Sequence, residues 1–174
     1  LKNVVVDFRV IQRFDVRDIG KENLSYKKIL VLIGEHLPFS KEERDAINHF
    51  SDITNSVIYV NHLSNFYSRY SVEGNVLLLT SDSEEIEKIK PDILISVGGQ
   101  SGDYPFYLAF SKNTLTNIEH WRICEDGHVV DTYDKLTRVY QGSITEFFNS
   151  VEASCTDHSY FETWNNKVKS KSIN

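Results

Sequence analysis

Short runs of apolar, mostly β-branched residues recur along the chain, with segments of mixed polarity between them. Ile29-Leu30-Val31-Leu32-Ile33 is continuously apolar and ends at Gly34. That pattern predicts a strand buried on both faces, as at the centre of a parallel sheet. Similar runs predict strands over 57–60, 76–79, 93–97 and 119–123, and a short sixth over 136–140. Between the runs the apolar period lengthens to that of a helix. Ser40-Lys41-Glu42-Glu43 reads as a capping box, opening a helix with Ala46, Ile47 and Phe50 on one face. Ser81-Asp82-Ser83-Glu84 opens an acidic-then-basic helix ending at Lys90, an order that suits the helix dipole. A helix is expected over 104–110, with Pro105 near its start. Ser143 and Glu146 repeat the capping pattern ahead of Phe147, Phe148 and Val151, and a last amphipathic helix is expected over 157–169.

This alternation predicts an α/β fold: a three-layer, Rossmann-like open sheet of about six mainly parallel strands with helices on both faces. Residues 1–26 have no clean period and read as a leading linker or extended segment with some strand. Residues 27–152 form the central α/β domain, and 153–174 a C-terminal helix and exit linker. The length of 174 residues suits one domain with a full core.

Composition narrows the function classes. The net charge is −6, and acidic and basic residues are interspersed. No basic stripe interleaved with aromatics is present, so nucleic acid is not an expected partner. No apolar run approaches the roughly 18 residues that span a bilayer, and the start of the chain does not read as a signal peptide, so no membrane is expected. Cys124 and Cys155 have no metal-ligand spacing, and so few cysteines suit a reducing compartment, so a cytoplasmic location is expected. Cys124 is expected inside a buried strand and inert. The chain begins at Leu1 and contains no methionine, which reads as a piece excised from a longer protein.

The candidate chemistry sits after the 93–97 strand. Strand, glycine turn and helix together form the unit that places ligands at the carboxyl edge of an open α/β sheet. The ligand-facing candidates there are Gly98, Gly99, Gln100, Ser101, Asp103 and Tyr104, joined by Asn61 and Ser64 from the turn after 57–60. Gly99 and Gly102 would allow close backbone approach. Gln100 and Ser101 could donate hydrogen bonds, and Tyr104 could stack on a ligand. The same residues also make a plain turn with Asp103 solvated. A P-loop, a GxGxxG fingerprint and a Gly-x-Ser-x-Gly elbow are absent. No histidine pair lies at i, i+4 on an expected helix. His120, beside Trp121 in a strand, reads as a core or edge residue, and the other five histidines as surface residues. Ser64 and Ser101 have no evident base. No catalytic residue, metal ligand or bound flavin or dinucleotide is therefore expected.

Several stretches in order resemble the middle domain of thiamine-diphosphate enzymes. The greatest likeness is to the 2-succinyl-5-enolpyruvyl-6-hydroxy-3-cyclohexene-1-carboxylate synthases of menaquinone biosynthesis. The stretches are residues 29–34, Asn61-His62-Leu63-Ser64-Asn65, residues 90–99, residues 119–127 with Asp131-Thr132, and residues 136–140. The resemblance implies a parent transferase of three α/β domains, which decarboxylates 2-oxoglutarate and adds the product to isochorismate. It implies thiamine diphosphate and Mg²⁺ between the parent's first and third domains, with this domain non-catalytic. The family's Gly-Asp-Gly…Asn motif and activating glutamate belong to those other domains and are not found here. The implied partners are the other two domains and further copies in a homo-oligomer. Two departures stand out. Asp103 lies where the family carries basic residues and is expected to repel a carboxylated substrate, and His62 replaces a usual proline. They keep open a divergent thiamine-diphosphate enzyme with another substrate, or a nucleotide- or anion-binding regulatory domain.

Overall fold

The computed structural model describes residues 9–111 and 115–172. Its strands are β1 (Gln12–Asp15), β2 (Ile29–Ile33), β3 (Ser56–Tyr59), β4 (Ser71–Val72), β5 (Ile93–Val97), β6 (Glu119–Cys124) and β7 (Leu136–Gln141). They form one seven-stranded sheet in the order β1-β7-β6-β5-β2-β3-β4, and every neighbouring pair is parallel. The helices are α1 (Lys41–Ile53), α2 (Asn75–Thr80), α3 (Ser83–Lys88), α4 (Tyr104–Phe110), α5 (Ile144–Asn149) and α6 (Ser159–Ser172).

The continuous apolar runs are explained by the two layers that cover the sheet. Successive side chains of a strand point to opposite faces. On β2, Ile29, Val31 and Ile33 join one core with Ala46, Ile47 and Phe50 of α1 and Phe147 and Phe148 of α5. Leu30 and Leu32 join the other, with Leu77 and Leu78 of α2, Ile86 of α3, Phe106 and Phe110 of α4, and Tyr160 and Trp164 of α6. Both faces are dry, so neither parity of the strand is polar. The Ser40 capping box is present: Glu43 N–H donates to Ser40 Oγ at 3.2 Å, and Ser40 N–H to Glu43 Oε2 at 2.8 Å.

The strand expected over 76–79 is instead part of α2. Val76 and Leu79 are exposed while Leu77 and Leu78 are buried, which is a helical stripe rather than strand alternation. Gly74 permits the close approach that starts the helix. A Cβ there would lie 2.6 Å from the Tyr59 ring and 2.9 Å from Trp164. The two-residue β4 takes the place beside β3, bracketed by Ile58 N–H to Tyr70 O at 3.0 Å and Val60 N–H to Val72 O at 3.0 Å. The sheet has seven strands rather than about six because β4 and β1 join it. β1 pairs with β7, and the turn after it buries Val16, Ile19 and Leu24 in the core. Asp126 and Gly127 open the loop that joins the parallel strands β6 and β7. Cys124 is the last residue of β6 and only half-buried, not enclosed in the strand as expected. At the chain's end, Tyr160 Oη and Trp164 Nε1 both donate to Ile89 O, at 2.8 and 3.2 Å, and fix α6 across α3.

Candidate functional site at the carboxyl edge

The sheet reverses its direction of winding between β2 and β5, and an open α/β sheet offers its ligand crevice outside such a point. Here the two loops leaving those strands bond to each other. Gly34 N–H donates to Val97 O at 2.9 Å, Glu35 N–H to Gln100 O at 3.0 Å, and Gly99 N–H to Glu35 O at 2.8 Å. A Cβ on Gly34 would lie 2.1 Å from Gly99 O. Gly98 holds φ at +81°, a value that favours glycine and brings the turn back onto Glu35. The N-termini of the two nearest helices are capped by the chain's own carboxylates, Glu43 with Ser40 on α1 and Asp103 on α4. A pyrophosphate takes up such helix N-termini and crevices. In this chain backbone and carboxylate oxygens fill them.

The sequence-predicted residues do converge. The Asn61 side-chain amide donates to Ser101 O and joins the 61–65 turn to the 98–103 turn. Asn61 Oδ1 accepts from Leu63 N–H at 2.8 Å. Ser64 is fully buried and donates to Ile33 O at 2.5 Å, so its hydroxyl is structural. Asp103 is 9% exposed and turned inward. It accepts Phe106 N–H at 3.1 Å and Tyr59 Oη–H at 2.6 Å. Burial and the Asp103 carboxylate raise the Tyr59 phenol's pKa far above its usual range, so Tyr59 stays a donor. The charge of Asp103 therefore faces the protein's interior, unlike the solvated turn aspartate expected from sequence. Tyr104 is 66% exposed and its ring lies roughly parallel to that of Tyr107, with centroids 6.3 Å apart. Gln100, Ser101, Gly102, Asp103, Tyr104 and Tyr107, with Thr132 and Tyr133 from the β6–β7 loop, line an open pocket of about 350 Å³. Its walls are aromatic and polar, with the inward-turned Asp103 as the carboxylate among them, which suits a planar, weakly charged ligand. Gly98 and Gly99 face a different space.

On the other side of Gly98-Gly99 lies a second pocket of about 440 Å³, lined among others by His36, Glu43, Arg122, Cys124 and Asp126. Sequence reasoning missed Arg122. Its signal was a cation inside a strand, two residues from His120 and so on the same face. Missed as well were Tyr107 and Tyr133, which periodicity places simply among core aromatics. His120 is buried, with Nε2 2.8 Å from Ser96 Oγ, and Nδ1 has no hydrogen-bond partner among the described residues. Desolvation lowers its pKa to about 4, so the imidazole is neutral near pH 7. Burial also raises the Cys124 thiol's pKa, which keeps it protonated.

Among the described residues no three His, Cys, Asp or Glu side chains gather in a way that could hold a metal ion. The switch-point crevice is closed by backbone. Among the same residues no helix is long and apolar enough to cross a membrane.

No family model matches the chain. The chain is 27% identical over 143 residues to the 2-succinyl-5-enolpyruvyl-6-hydroxy-3-cyclohexene-1-carboxylate synthase of Cytophaga hutchinsonii. The match covers 80% of this chain and 24% of the synthase, so the chain spans about a quarter of that relative's length. It is a distant relationship to a thiamine-diphosphate-type enzyme, carried on a Rossmann-like, wholly parallel sheet.

Proposed function

We propose that the chain is the non-catalytic central domain of a thiamine-diphosphate-dependent carboligase resembling the synthase named above. The observation that carries this reading is the match of most of the chain to a quarter of that enzyme. The site agrees with it: the crevice that would hold a nucleotide is filled by the loops after β2 and β5. In this reading the domain supports a homo-oligomer and lends the 98–104 turn to a site completed by the other domains. Leu79 and Tyr104, exposed by 70% and 66%, lie on α2 and α4, which pack together. In this reading each is an apolar contact for the other domains of the same polypeptide to cover. The inward Asp103 leaves the substrate's carboxylates unopposed at the turn, so the departure from the family's basic residues weakens substrate binding without repelling it.

The test compares the isolated chain with the full-length polypeptide, each with thiamine diphosphate and Mg²⁺. The full-length protein should consume 2-oxoglutarate, and the isolated chain should not. Turnover by the isolated chain, abolished by a substitution within it, would sink the proposal. A full-length protein inert toward 2-oxoglutarate but active on another 2-oxo acid would favour the divergent enzyme.

A further inference from the structure

The pocket of about 350 Å³ beside the 100–104 turn carries three tyrosines, Tyr104, Tyr107 and Tyr133. Tyr104 is largely exposed and Tyr133 is buried. Ring centroids lie 6.3 Å apart between Tyr104 and Tyr107 and 6.4 Å apart between Tyr107 and Tyr133, so the three rings form one continuous aromatic patch. The face of a tyrosine ring is the negative pole of its quadrupole, and it attracts a cation lying within about 6 Å of the centroid. Among the described residues no Lys, Arg or His lines this pocket. The acid in its wall is Asp103.

Asp103 sets the sign of that wall. Its two oxygens accept from the Tyr59 hydroxyl and the Phe106 amide, both neutral donors. Those bonds satisfy its lone pairs and leave its charge unbalanced. Asp15, Asp18, Asp52 and Asp131 each hold a Lys or Arg, whereas Asp103 has no ion pair among the described residues although it is only 9% exposed. Buried carboxylates are ordinarily paired, so the missing positive charge has to come from outside the chain. A ligand need not touch the carboxylate, because a charge is felt further through a low-dielectric wall than through water. The tyrosine faces supply the contact, and a flat ring has the shape to lie against them. Gln100 and Thr132 add polar groups at the sides. We propose that this pocket binds a planar, singly charged cation of the N-alkylated aromatic heterocycle class, held on the faces of Tyr104 and Tyr107. The proposal is separate from the carboligase reading, since it uses only this chain's residues.

The experiment titrates the ¹⁵N-labelled chain at constant ionic strength with four probes and follows its backbone amides by NMR. The ring-N-methylated nicotinamide cation should shift the amides of residues 101–104 and 132–133 saturably. Nicotinamide, its neutral parent, should bind about tenfold more weakly, and nicotinate, an anion of the same shape, more weakly still. Tetramethylammonium, a cation that is not flat, should also bind about tenfold more weakly than the planar cation. Tyr104→Ala should weaken the planar cation about tenfold, and Tyr104→Phe, which keeps the ring face, should bind it like wild type. A linear shift, or shifts spread over the whole surface, would overturn the site. Nicotinamide or nicotinate binding as tightly as the cation would overturn the preference for positive charge. Tetramethylammonium binding as tightly would overturn the preference for a planar ligand. A Tyr104→Ala chain that binds the cation like wild type would show that the tyrosine patch does not hold it, and the proposal would fall.

Discussion

Asp103 carries two bonds that the fold needs, one to the α4 amide of Phe106 and one to the Tyr59 hydroxyl. Asp103→Ala should lose about 2–3 kcal/mol in urea unfolding, from a lost cap together with an orphaned buried phenol. Asp103→Lys would put an unpaired cation in the same buried place and should not yield a stable fold. Tyr104 is the residue that separates a ligand role from a plain turn. Tyr104→Ala should leave stability within about 0.5 kcal/mol of wild type. In the full-length enzyme it should lower kcat/KM by about tenfold if the turn meets substrate. An unchanged kcat/KM would leave the turn structural. His120 sets a pH dependence of its own. Its folded pKa, about 4, lies below the ordinary 6.5. Between these values the unfolded chain binds a proton that the folded one does not, so stability falls as pH drops from 6.5 toward 4. The loss is about 3 kcal/mol from this group. A substitution that keeps a hydrogen bond to Ser96, His120→Gln, should flatten that slope in unfolding measured across the window. A slope unchanged by His120→Gln would assign it to other groups.

At the scale of elements, the sealed switch point depends on Gly34. Gly34→Ala drives a methyl into Gly99 O, where neither backbone can retreat without breaking the bonds between their loops. A loss of about 3 kcal/mol or failure to fold is expected, and wild-type-like unfolding would show that the loops are not held together. Gly34 was legible only as a strand's end. The contact that makes it necessary comes from residues more than sixty positions away, which no local pattern reports. Elements with a strong local signal were legible. The runs at 29–33 and 93–97 and the Ser40–Glu43 cap lie where pattern alone puts them. The 76–79 run was misread because four apolar residues fit either period, and only the docking of Leu77 and Leu78 decides between them. Of the candidate site, the meeting of the 61–65 and 98–104 turns was legible from their shared place after parallel strands. The inward turn of Asp103 was not, because its partner Tyr59 looks from sequence like any other strand aromatic.

For the whole molecule, the leading segment is part of the sheet. β1 covers the outer edge of β7, and Val16, Ile19 and Leu24 fill the core beneath. A chain starting at residue 27 should expose β7 as an open edge and self-associate, as size-exclusion chromatography would show. A monomer with an unchanged unfolding midpoint would count against this. The pairing also has a consequence in time. Arg9 reaches Asp134, 125 residues further along the chain, and β1 meets its neighbour β7 in the same region. A ribosome adds about 5–20 residues per second, so β1 leaves it on the order of ten seconds before β7 exists. β1 leaves the ribosome before the other described strands of this sheet and is the last of them to find its partner, and its apolar companions wait in water or in a chaperone's grip until the far edge is synthesised.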